Sequence, residues 1–490
     1  MTKAFYLLNF LFCFFFAACN DDLPQYEEKS FLLLNESTLL FDETGGEKTL
    51  SVFSNTSWAI TGANEWCHLS ANSGSDSLKV VITVDPNQSK EERVCELLFE
   101  TDQVENTKVS VSQKAFSQIE EEEELSNDYP DMRQISSLEL SKLMGIGWNV
   151  GNSLEALLSQ NGVFSGNETS WGNAKISQQL IDSVKAAGFN TVRVPVSWSH
   201  KLIDKDTYTI DPEWLSRVEE VVGYIVSNQM YAIINIHWDG GWMDHPFYNK
   251  QAEINNKIEA LWIQIAEHFI EYNDYLLFAG TNEVHVENNW NAPSKENAEV
   301  QNSFNQTFVD AVRLTGARNK LRHLVIQGYN TNIDHTIKHF VLPSDVVESK
   351  LMVEVHFYDP YDFALQEDSN FKTQWGAPFA GGDVPNWGQE SWVNEAFLKM
   401  KTKFVNNNIP VVLGEYGALL RTNLQSGQQE HIDARNYYLE YVTNAALENG
   451  IVPVYWDNGY AGNNGFGLFK RSNGSSVYPD AIHSIMKRNK

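Results

Sequence analysis

Two glutamates each follow a short apolar run, and this pairing is the clearest chemical signal in the chain. Glu283 closes the run at residues 276–283, and Glu415 closes the run at residues 411–415. Apolar runs without alternation are typical of strands buried on both faces of a parallel sheet. Carboxylates at the C-terminal ends of such strands could face each other across a sugar and cleave a glycosidic bond. For either glutamate alone, the plainer interpretation is a charged strand end facing solvent.

From residue 135 onward, apolar strands alternate with helical patterns. Helical periodicity covers residues 176–187, 258–270 and 430–448. The strands lie near residues 145–150, 191–195, 232–237, 276–283, 324–327, 351–357, 411–415 and 452–456. Eight such units predict a (β/α)8 TIM barrel over residues 135–490. The alternative is an open doubly wound sheet, which is weakened because no glycine-rich phosphate motif follows the first strand.

Other strand ends also carry side chains that could act on a sugar. They are Arg193, His237, Asn282, His356, Tyr358 and Trp456. Taken singly, each has a plainer interpretation, such as a structural ion pair or a hydrogen-bonded core histidine. A metal site built from His237 and His356 lacks the usual ligand spacing, so we predict no metal and no cofactor.

Two motifs make a resemblance specific. Residues 147–152 read GWNVGN and residues 281–285 read TNEVH. With the strand ends above, they resemble glycoside hydrolase family 5, and subfamily 4 within it, across residues 135–490. The resemblance implies that Glu283 is the general acid/base, with a raised pKa, and that Glu415 is the ionised nucleophile.

The same resemblance implies roles for the remaining strand-end residues. Arg193 and Tyr358 would keep Glu415 ionised, and Asn282 would bond the sugar 2-hydroxyl. His237 and His356 would shape the subsite of the reacting sugar, and Trp456 would stack beneath it. Asn152 and Trp242 are further candidates for substrate binding.

The chain departs from the common family pattern at two positions, Val284 and Trp238, where proline and histidine are frequent. Neither removes a proton-transfer group. Further loop aromatics that could form subsites are Trp171, Trp290, Trp375 and Trp387, whereas Trp214 and Trp262 lie on helical patterns and are expected to be packing residues.

Residues 31–116 contain about seven short strands and predict a small all-β immunoglobulin-like sandwich. Its fragments SWAI at 57–60, EWC at 65–67, SG at 73–74 and VSQ at 111–113, with Arg93, resemble a BACON domain. Such a domain could bind glycan or act as a spacer. We favour the spacer, because Trp58 and Trp66 lie in strand-like contexts. Cys67 and Cys95 could form a disulfide or remain separate buried thiols.

The N-terminus has the pattern of a targeting segment. Lys3 and an apolar run to Ala18 precede Cys19, which is typical of a bacterial lipoprotein signal peptide at residues 1–18 with the lipid on Cys19. An ordinary secretory signal is the alternative. Residues 19–30 would be a tether and residues 117–134 an acidic linker. We therefore expect lipid anchoring at the extracellular face of the outer membrane.

The net charge of −28, from 64 acidic and 36 basic residues, argues against nucleic acid and anionic substrates. A neutral polysaccharide fits. The sequence therefore predicts a monomeric, retaining endo-β-1,4-glucanase acting on cellulose-type or mixed-linkage β-glucan. Xyloglucan is the nearest alternative substrate, and mannan is a weaker one. From another class, the rival is a non-catalytic glycan-binding lipoprotein on an inactive barrel, which retention of both glutamates argues against.

Overall fold

A computed structural model describes residues 30–87, 89, 91–115 and 129–488. The chain divides into two compact units, residues 1–122 and 123–490. The predicted signal peptide, Cys19 and the acidic run at residues 120–124 lie outside the described residues. In the part of the chain that is described, no helix combines the length and the apolarity needed to cross a bilayer.

The first unit is an all-β sandwich of two sheets, as predicted. Its strands are β1 (Leu32–Leu34), β2 (Thr38–Phe41), β3 (Gly46–Ser54), β4 (Trp58–Thr61), β5 (Cys67–Leu69), β6 (Ser73–Gly74), β7 (Leu78–Val84), β8 (Arg93–Glu100) and β9 (Thr107–Gln113). One sheet has the order β1-β3-β7-β5 and the other β2-β9-β8-β4-β6. The strands beyond the predicted seven are short pieces such as β5 and β6, which carry too few residues to show an alternating pattern.

The sandwich core forms from alternate residues of the long strands, such as Leu50, Val80 and Leu97. Trp58 is buried in this core, as expected, whereas Trp66 is half-buried beneath the guanidinium of Arg93, 4.4 Å from its ring centre. Cys67 and Cys95 are buried free thiols.

The second unit contains a closed barrel of eight parallel strands. They are β10 (Gly147–Asn149), β13 (Thr191–Val194), β16 (Tyr231–Asn235), β17 (Leu276–Ala279), β18 (Leu324–Gln327), β19 (Leu351–Phe357), β20 (Val411–Tyr416) and β21 (Ile451–Tyr455). Because β10 pairs with both β13 and β21, the sheet closes and the doubly wound alternative is wrong. Two small hairpins are inserted, β11 (Leu158–Gln160) with β12 (Val163–Ser165), and β14 (Leu202–Asp204) with β15 (Thr209–Ile210).

One helix precedes the barrel strands, and the others lie between the strands or after the last one. The helices are α1 (Ser137–Met144), α2 (Gln178–Ala186), α3 (Pro212–Ser227), α4 (Tyr248–His268), α5 (Lys295–Leu314), α6 (Ile333–His339), α7 (Tyr361–Ala364), α8 (Glu390–Lys403), α9 (Gln428–Glu448) and α10 (Pro479–Met486). Trp214 on α3 and Trp262 on α4 are buried packing residues, as predicted.

The barrel interior changes from apolar to polar along the strands. Leu277, Val325, Met352 and Val412 fill the end nearest the strand N-termini. Side chains of one strand that are two residues apart share a face, so the next inward positions along the strands fall in one layer. That layer is polar and contains Asn149, Arg193, Asn235, Gln327 and Glu354. The chemistry therefore lies at the C-terminal ends of the strands.

The predicted acidic linker extends too far. Asp131 lies 3.1 Å from Arg318, and Arg133 lies 2.7 Å from Asp274. The segment from residue 129 thus already packs on the barrel unit. The sequence pattern showed only a polar, acidic stretch, because the basic and acidic partners of these residues come from distant parts of the chain.

Candidate active site

Glu415 faces the barrel interior because of a bulge in β20. Val355 pairs with Leu413, but the next residue of β19, His356, pairs with Glu415, so Gly414 is an extra residue. Such a bulge re-aims the side chain that follows it. Gly414 is required at this point, because a Cβ there would lie 2.1 Å from Glu354 Oε1.

A cation and a hydroxyl hold the buried carboxylate of Glu415. Arg193 Nη1 donates to Oε1 at 2.9 Å, and the Tyr358 hydroxyl donates to Oε2 at 2.9 Å. Burial and the charge of Glu283 raise the pKa of Glu415 above its ordinary value, although the charges of His356 and Arg193 and the Tyr358 hydrogen bond oppose that rise. The arrangement matches the one the sequence implied, with Arg193 and Tyr358 at Glu415.

Glu283 lies four residues beyond β17, which ends at Ala279, earlier than predicted. Its backbone has φ +50°, in the left-handed region, and its N–H donates to Gln327 Oε1 at 3.0 Å. The side chain is 36% exposed and opens onto the cleft. Strained backbone of this kind is concentrated at functional sites, where surrounding contacts hold it.

His356 connects Glu283 to a third carboxylate, Glu354. Nδ1 lies 2.6 Å from Glu283 Oε1, and Nε2 lies 3.0 Å from Glu354 Oε1. With both carboxylates ionised, each accepts from the ring, so both ring nitrogens donate and the ring is an imidazolium. Burial alone would lower the pKa of His356, but the charge of Glu415 and the bonds to Glu283 and Glu354 raise it to about 9.

The expected raised pKa of Glu283 is wrong for the site without sugar. Burial acts to raise it, but the hydrogen bond and charge of His356, with Arg193, lower the pKa below the ordinary value. The transferable proton therefore belongs to the Glu283–His356 pair. Sequence spacing could not show this, because His356 reaches Glu283 only when the barrel closes.

The two glutamates are close together. One carboxylate oxygen of Glu283, one of Glu415 and a ring nitrogen of His356 all lie within 4.8 Å of one another. Carboxyl groups about 5–5.5 Å apart are typical of retaining glycosidases, and about 6.5–9.5 Å of inverting ones, which must admit a water. The geometry fits direct attack by one carboxylate on the sugar.

The pair lies at the floor of an open cleft. A cavity of about 860 Å³ is lined by His237, Glu283, His356, Glu415 and Trp456, and it extends past Tyr358 to Trp392. A smaller one of about 290 Å³ continues over Trp238, Asn282 and His285. Both cavities are lined by His237, Glu283 and Trp290, so they adjoin at Glu283.

His237 and Trp456 form one wall beside the glutamates. Their rings are parallel within 5°, with centres 5.9 Å apart. Burial, with the charges of Arg193 and His356, lowers the pKa of His237 well below its ordinary value, so the ring is neutral and can both donate and accept. Asn282 accepts a hydrogen bond from Arg193 Nη2 at 2.6 Å, which fixes its amide beside the pair.

Two predicted substrate-binding residues lie away from the cleft lining. Trp242 donates its indole N–H to Asp239 at 2.7 Å and carries the Lys257 ammonium 4.0 Å from its ring centre. The Asn152 N–H donates to Glu155, and its carbonyl oxygen accepts from Asn173 Nδ2 at 2.8 Å. Neither Trp242 nor Asn152 is among the residues that line the cleft. The structure does not bring either side chain to the glutamates.

Of the other loop tryptophans predicted to form subsites, one lines the cleft and the rest do not. Trp290 is 65% exposed and lines the cleft, stacked on His285 with ring centres 4.2 Å apart. Trp375 is fully buried, so its expected subsite role is wrong. Trp171 donates its N–H to Leu157 O, and Trp387 packs edge-on against Trp392.

Sequence reasoning missed three residues at the site: Glu354, Gln327 and Trp392. A signal for Glu354 existed, because it lies two residues before His356 and must share its inward face. A charged side chain there needs a partner. Trp392 lies on α8, where a tryptophan is indistinguishable from a packing residue until the helix is placed beside the cleft.

Comparisons with known proteins agree with this geometry. The sequence model of the family described as "Cellulase (glycosyl hydrolase family 5)" matches residues 158–462. The BACON model, described as "Putative binding domain, N-terminal", matches residues 56–114. The chain is 42% identical over 453 residues to a xyloglucan-specific endo-beta-1,4-glucanase of Bacteroides ovatus, covering 92% of this chain and 89% of the relative. It is 39% identical to endoglucanase A of Paenibacillus barcinonensis, over 73% of this chain and 91% of that protein.

Solved structures give the same result. A Bacteroides ovatus family 5 xyloglucanase in complex with a XXXG heptasaccharide superposes with a TM-score of 0.74 at 40% identity, covering 94% of this chain and 99% of that one. A subfamily 4 broad-specificity endoglucanase from Bacteroides salanitronis has a TM-score of 0.67 at 38% identity, over 72% and 95% of the two chains. With its closed barrel and its paired carboxylates, the chain belongs to glycoside hydrolase family 5.

Proposed function

We propose that the protein is a retaining endo-β-1,4-glucanase that hydrolyses neutral plant β-glucans, with xyloglucan as its preferred substrate. The observation that carries the proposal is the carboxylate pair within 4.8 Å, in which Arg193 and Tyr358 hold Glu415 and His356 holds Glu283. Retaining hydrolysis needs one carboxylate that attacks and one that exchanges a proton, and the two surroundings differ accordingly.

In the first step, a Glu415 oxygen attacks the anomeric carbon and the glycosidic C–O bond breaks. The leaving oxygen takes the proton that the Glu283–His356 pair holds, through Glu283, which is the exposed member. Arg193 and Tyr358 position the attacking carboxylate. Asn282 is fixed by Arg193 where an amide can bond the sugar, a contact that strengthens in the transition state.

In the second step, a water attacks the glycosyl ester and Glu283 accepts its proton. Ester formation removes the negative charge of Glu415, which is 3.7 Å from His356 Nδ1. Loss of that anion favours release of the shared proton during the first step, and its return as the ester breaks favours proton uptake by the Glu283–His356 pair in the second. Glu415 leaves as a carboxylate, and two inversions give net retention at the anomeric carbon.

The endo mode and the choice of xyloglucan have separate supports. Two cavities that adjoin at Glu283 would accommodate chain on both sides of the scissile bond. The Bacteroides ovatus relative, which aligns over 92% of this chain, is xyloglucan-specific. Cellulose-type and mixed-linkage chains remain in the proposal, because other similar enzymes have broad specificity.

The test is a product profile. Reducing-sugar release should be measured on xyloglucan, carboxymethyl cellulose, barley glucan and glucomannan, with NMR of the first-formed anomer. We expect the highest kcat/KM on xyloglucan and a β-anomer as first product. Highest activity on barley glucan would overturn the substrate preference alone. An α-anomer would overturn retention, and inactivity on all four substrates would favour the non-catalytic glycan-binding alternative.

We also propose that Cys19 carries a lipid that anchors the protein at the outer cell surface. The support is the sequence pattern of residues 1–19. Cys19→Ala should move the protein from the membrane fraction to the soluble fraction with unchanged activity on soluble glucan. Retention in the membrane fraction would contradict the anchor.

The sandwich is proposed as a spacer, and the protein as a monomer. Deleting residues 20–122 removes the first unit and leaves the barrel unit intact. We expect turnover on soluble glucan to stay within about twofold, because every residue at the catalytic pair belongs to the barrel. A loss of affinity for insoluble glucan alone would instead assign glycan binding to the sandwich. Light scattering of the full chain tests the oligomeric state.

A further inference from the structure

Glu354 is a buried carboxylate that the two-step reaction does not use. It lies on β19, two residues before His356, and its side chain is fully buried in the barrel interior. A buried carboxylate is costly unless it is paired and hydrogen-bonded. The partners of Glu354 must therefore offset the cost of burying its charge.

Glu354 contacts two cationic side chains. Its Oε1 is 2.9 Å from Arg193 Nη2 and 3.0 Å from His356 Nε2. Arg193 in turn bonds Glu415, and His356 bonds Glu283. One carboxylate oxygen therefore touches both cations that act on the catalytic glutamates.

Neighbouring strands leave room for this carboxylate. On β20, the missing side chain of Gly414 is what makes the space for Glu354 Oε1. On β18, Gln327 pairs in register with Glu354, and its own side-chain oxygen accepts the N–H of Glu283. The same glycine that forms the bulge of Glu415 thus admits Glu354.

We propose that Glu354 is a positioning residue whose negative charge keeps His356 doubly protonated, and that it thereby sets the alkaline limit of activity. A neutral imidazole cannot donate from both nitrogens, so without the anion at Nε2 the ring would release one proton at lower pH. The Glu283–His356 pair would then lose its transferable proton. This inference rests on the proposed function only for its kinetic consequence.

Other titratable and charged groups also face His356. Glu415 and Glu283 also favour the protonated ring, and Arg193 and His237 lie beside it. Tyr358 is neutral, because burial and the charges of Glu415 and Glu283 raise its pKa well above the ordinary value. Glu283 and Glu415 change charge during turnover, so Glu354 is the carboxylate in contact with the ring that keeps its charge through both steps.

The first test needs no substitution and no substrate. In ¹⁵N-histidine NMR of the wild-type protein at pH 8, His356 should show both ring nitrogens protonated, with its signals assigned by their loss in His356→Asn. A neutral His356 at pH 8 would overturn the inference even if the enzyme were fully active.

The second test is Glu354→Gln, which keeps the shape and removes the charge. The titration of His356 and the alkaline limb of kcat/KM should both move to lower pH by about 1–3 units, the usual effect of one adjacent opposite charge. Glu354→Asp retains the charge and should restore the alkaline limb toward the wild-type position.

The matched control is Asp345→Asn, which neutralises a buried carboxylate paired with Arg313 at 2.7 Å, outside the cleft lining. It should lower the melting temperature without moving the alkaline limb. An unshifted limb in folded, active Glu354→Gln would overturn the inference and leave the proposed function intact. A wild-type protein inactive on every β-glucan would overturn the proposed function, while the NMR result on His356 would still decide the role of Glu354.

Discussion

The surroundings of Glu283 and Glu415 differ although the two sequence runs look alike. Glu415 is buried on a bulged strand, between a guanidinium and a phenol. Glu283 lies beyond its strand, is 36% exposed and faces an imidazolium. A carboxylate fixed by Arg193, which cannot give up its charge, suits attack on carbon, whereas one facing His356 suits exchange of a proton.

The role of each carboxylate therefore depends on the acid strength of its neighbour. Arginine stays charged throughout, so the free Glu415 side chain is kept as a carboxylate that is ready to attack. Histidine can release its proton, so the charge at Glu283 can change within one turnover. The following experiments test this contrast.

The largest effect is expected from Glu415→Gln. Without the nucleophile no glycosyl-enzyme forms, and loss of an essential nucleophile costs on the order of 10⁴–10⁶ in kcat. Turnover should fall to background on polysaccharides and on activated aryl glycosides alike. Appreciable turnover of an aryl glycoside by the folded variant would contradict the assignment.

Glu283→Ala should separate substrates by their leaving groups. Losing a general acid costs about 10²–10⁴-fold on polysaccharide, but an acidic phenol needs little protonation and its release should be far less impaired. Azide should then rescue the second step and give a β-glycosyl azide, since an anion needs no general base. If Glu415→Ala were the variant that gave the β-azide, the two roles would be reversed.

Tyr358→Phe should have an intermediate effect with a defined pH signature. It removes one hydrogen bond to a charged group, worth about 1.5–3 kcal/mol, or roughly 10- to 150-fold. The Tyr358 hydroxyl favours ionised Glu415. Its loss should raise the pKa of Glu415 and move the acidic limb of kcat/KM to higher pH. If the acidic limb stayed in place and the alkaline limb moved, Tyr358 would act on Glu283 and not on Glu415.

The smallest effect is expected from Trp290→Ala, which changes the exposed side of the site near Glu283. Truncating an aromatic contact residue costs about 1 kcal/mol or more, roughly a fivefold rise in KM, with kcat nearly unchanged. Trp171→Ala, another exposed indole at 43%, is the control and should leave KM unchanged. Equal effects of both variants on KM would contradict a substrate contact at Trp290.

Much of the fold followed from the sequence because it depends on local pattern. The predicted strands at residues 324–327 and 351–357 coincide with β18 and β19, since short runs rich in apolar residues mark buried strands. The failed predictions of substrate-binding tryptophans have a different cause. Trp242 and Trp375 lie in loops by pattern, but burial against Lys257 in one case and the core in the other depends on long-range packing.

The alternation of strands and helices, the small all-β unit and the two candidate glutamates followed from the sequence, because strand and helix periodicity are local properties. Only the tertiary structure decided how the proton is held. The bulge at Gly414, the bond from His356 to Glu283 and the ion pair of Glu354 with Arg193 each join residues that are far apart in the sequence. Electrostatic interaction depends on distance and burial, and closure of the barrel sets both.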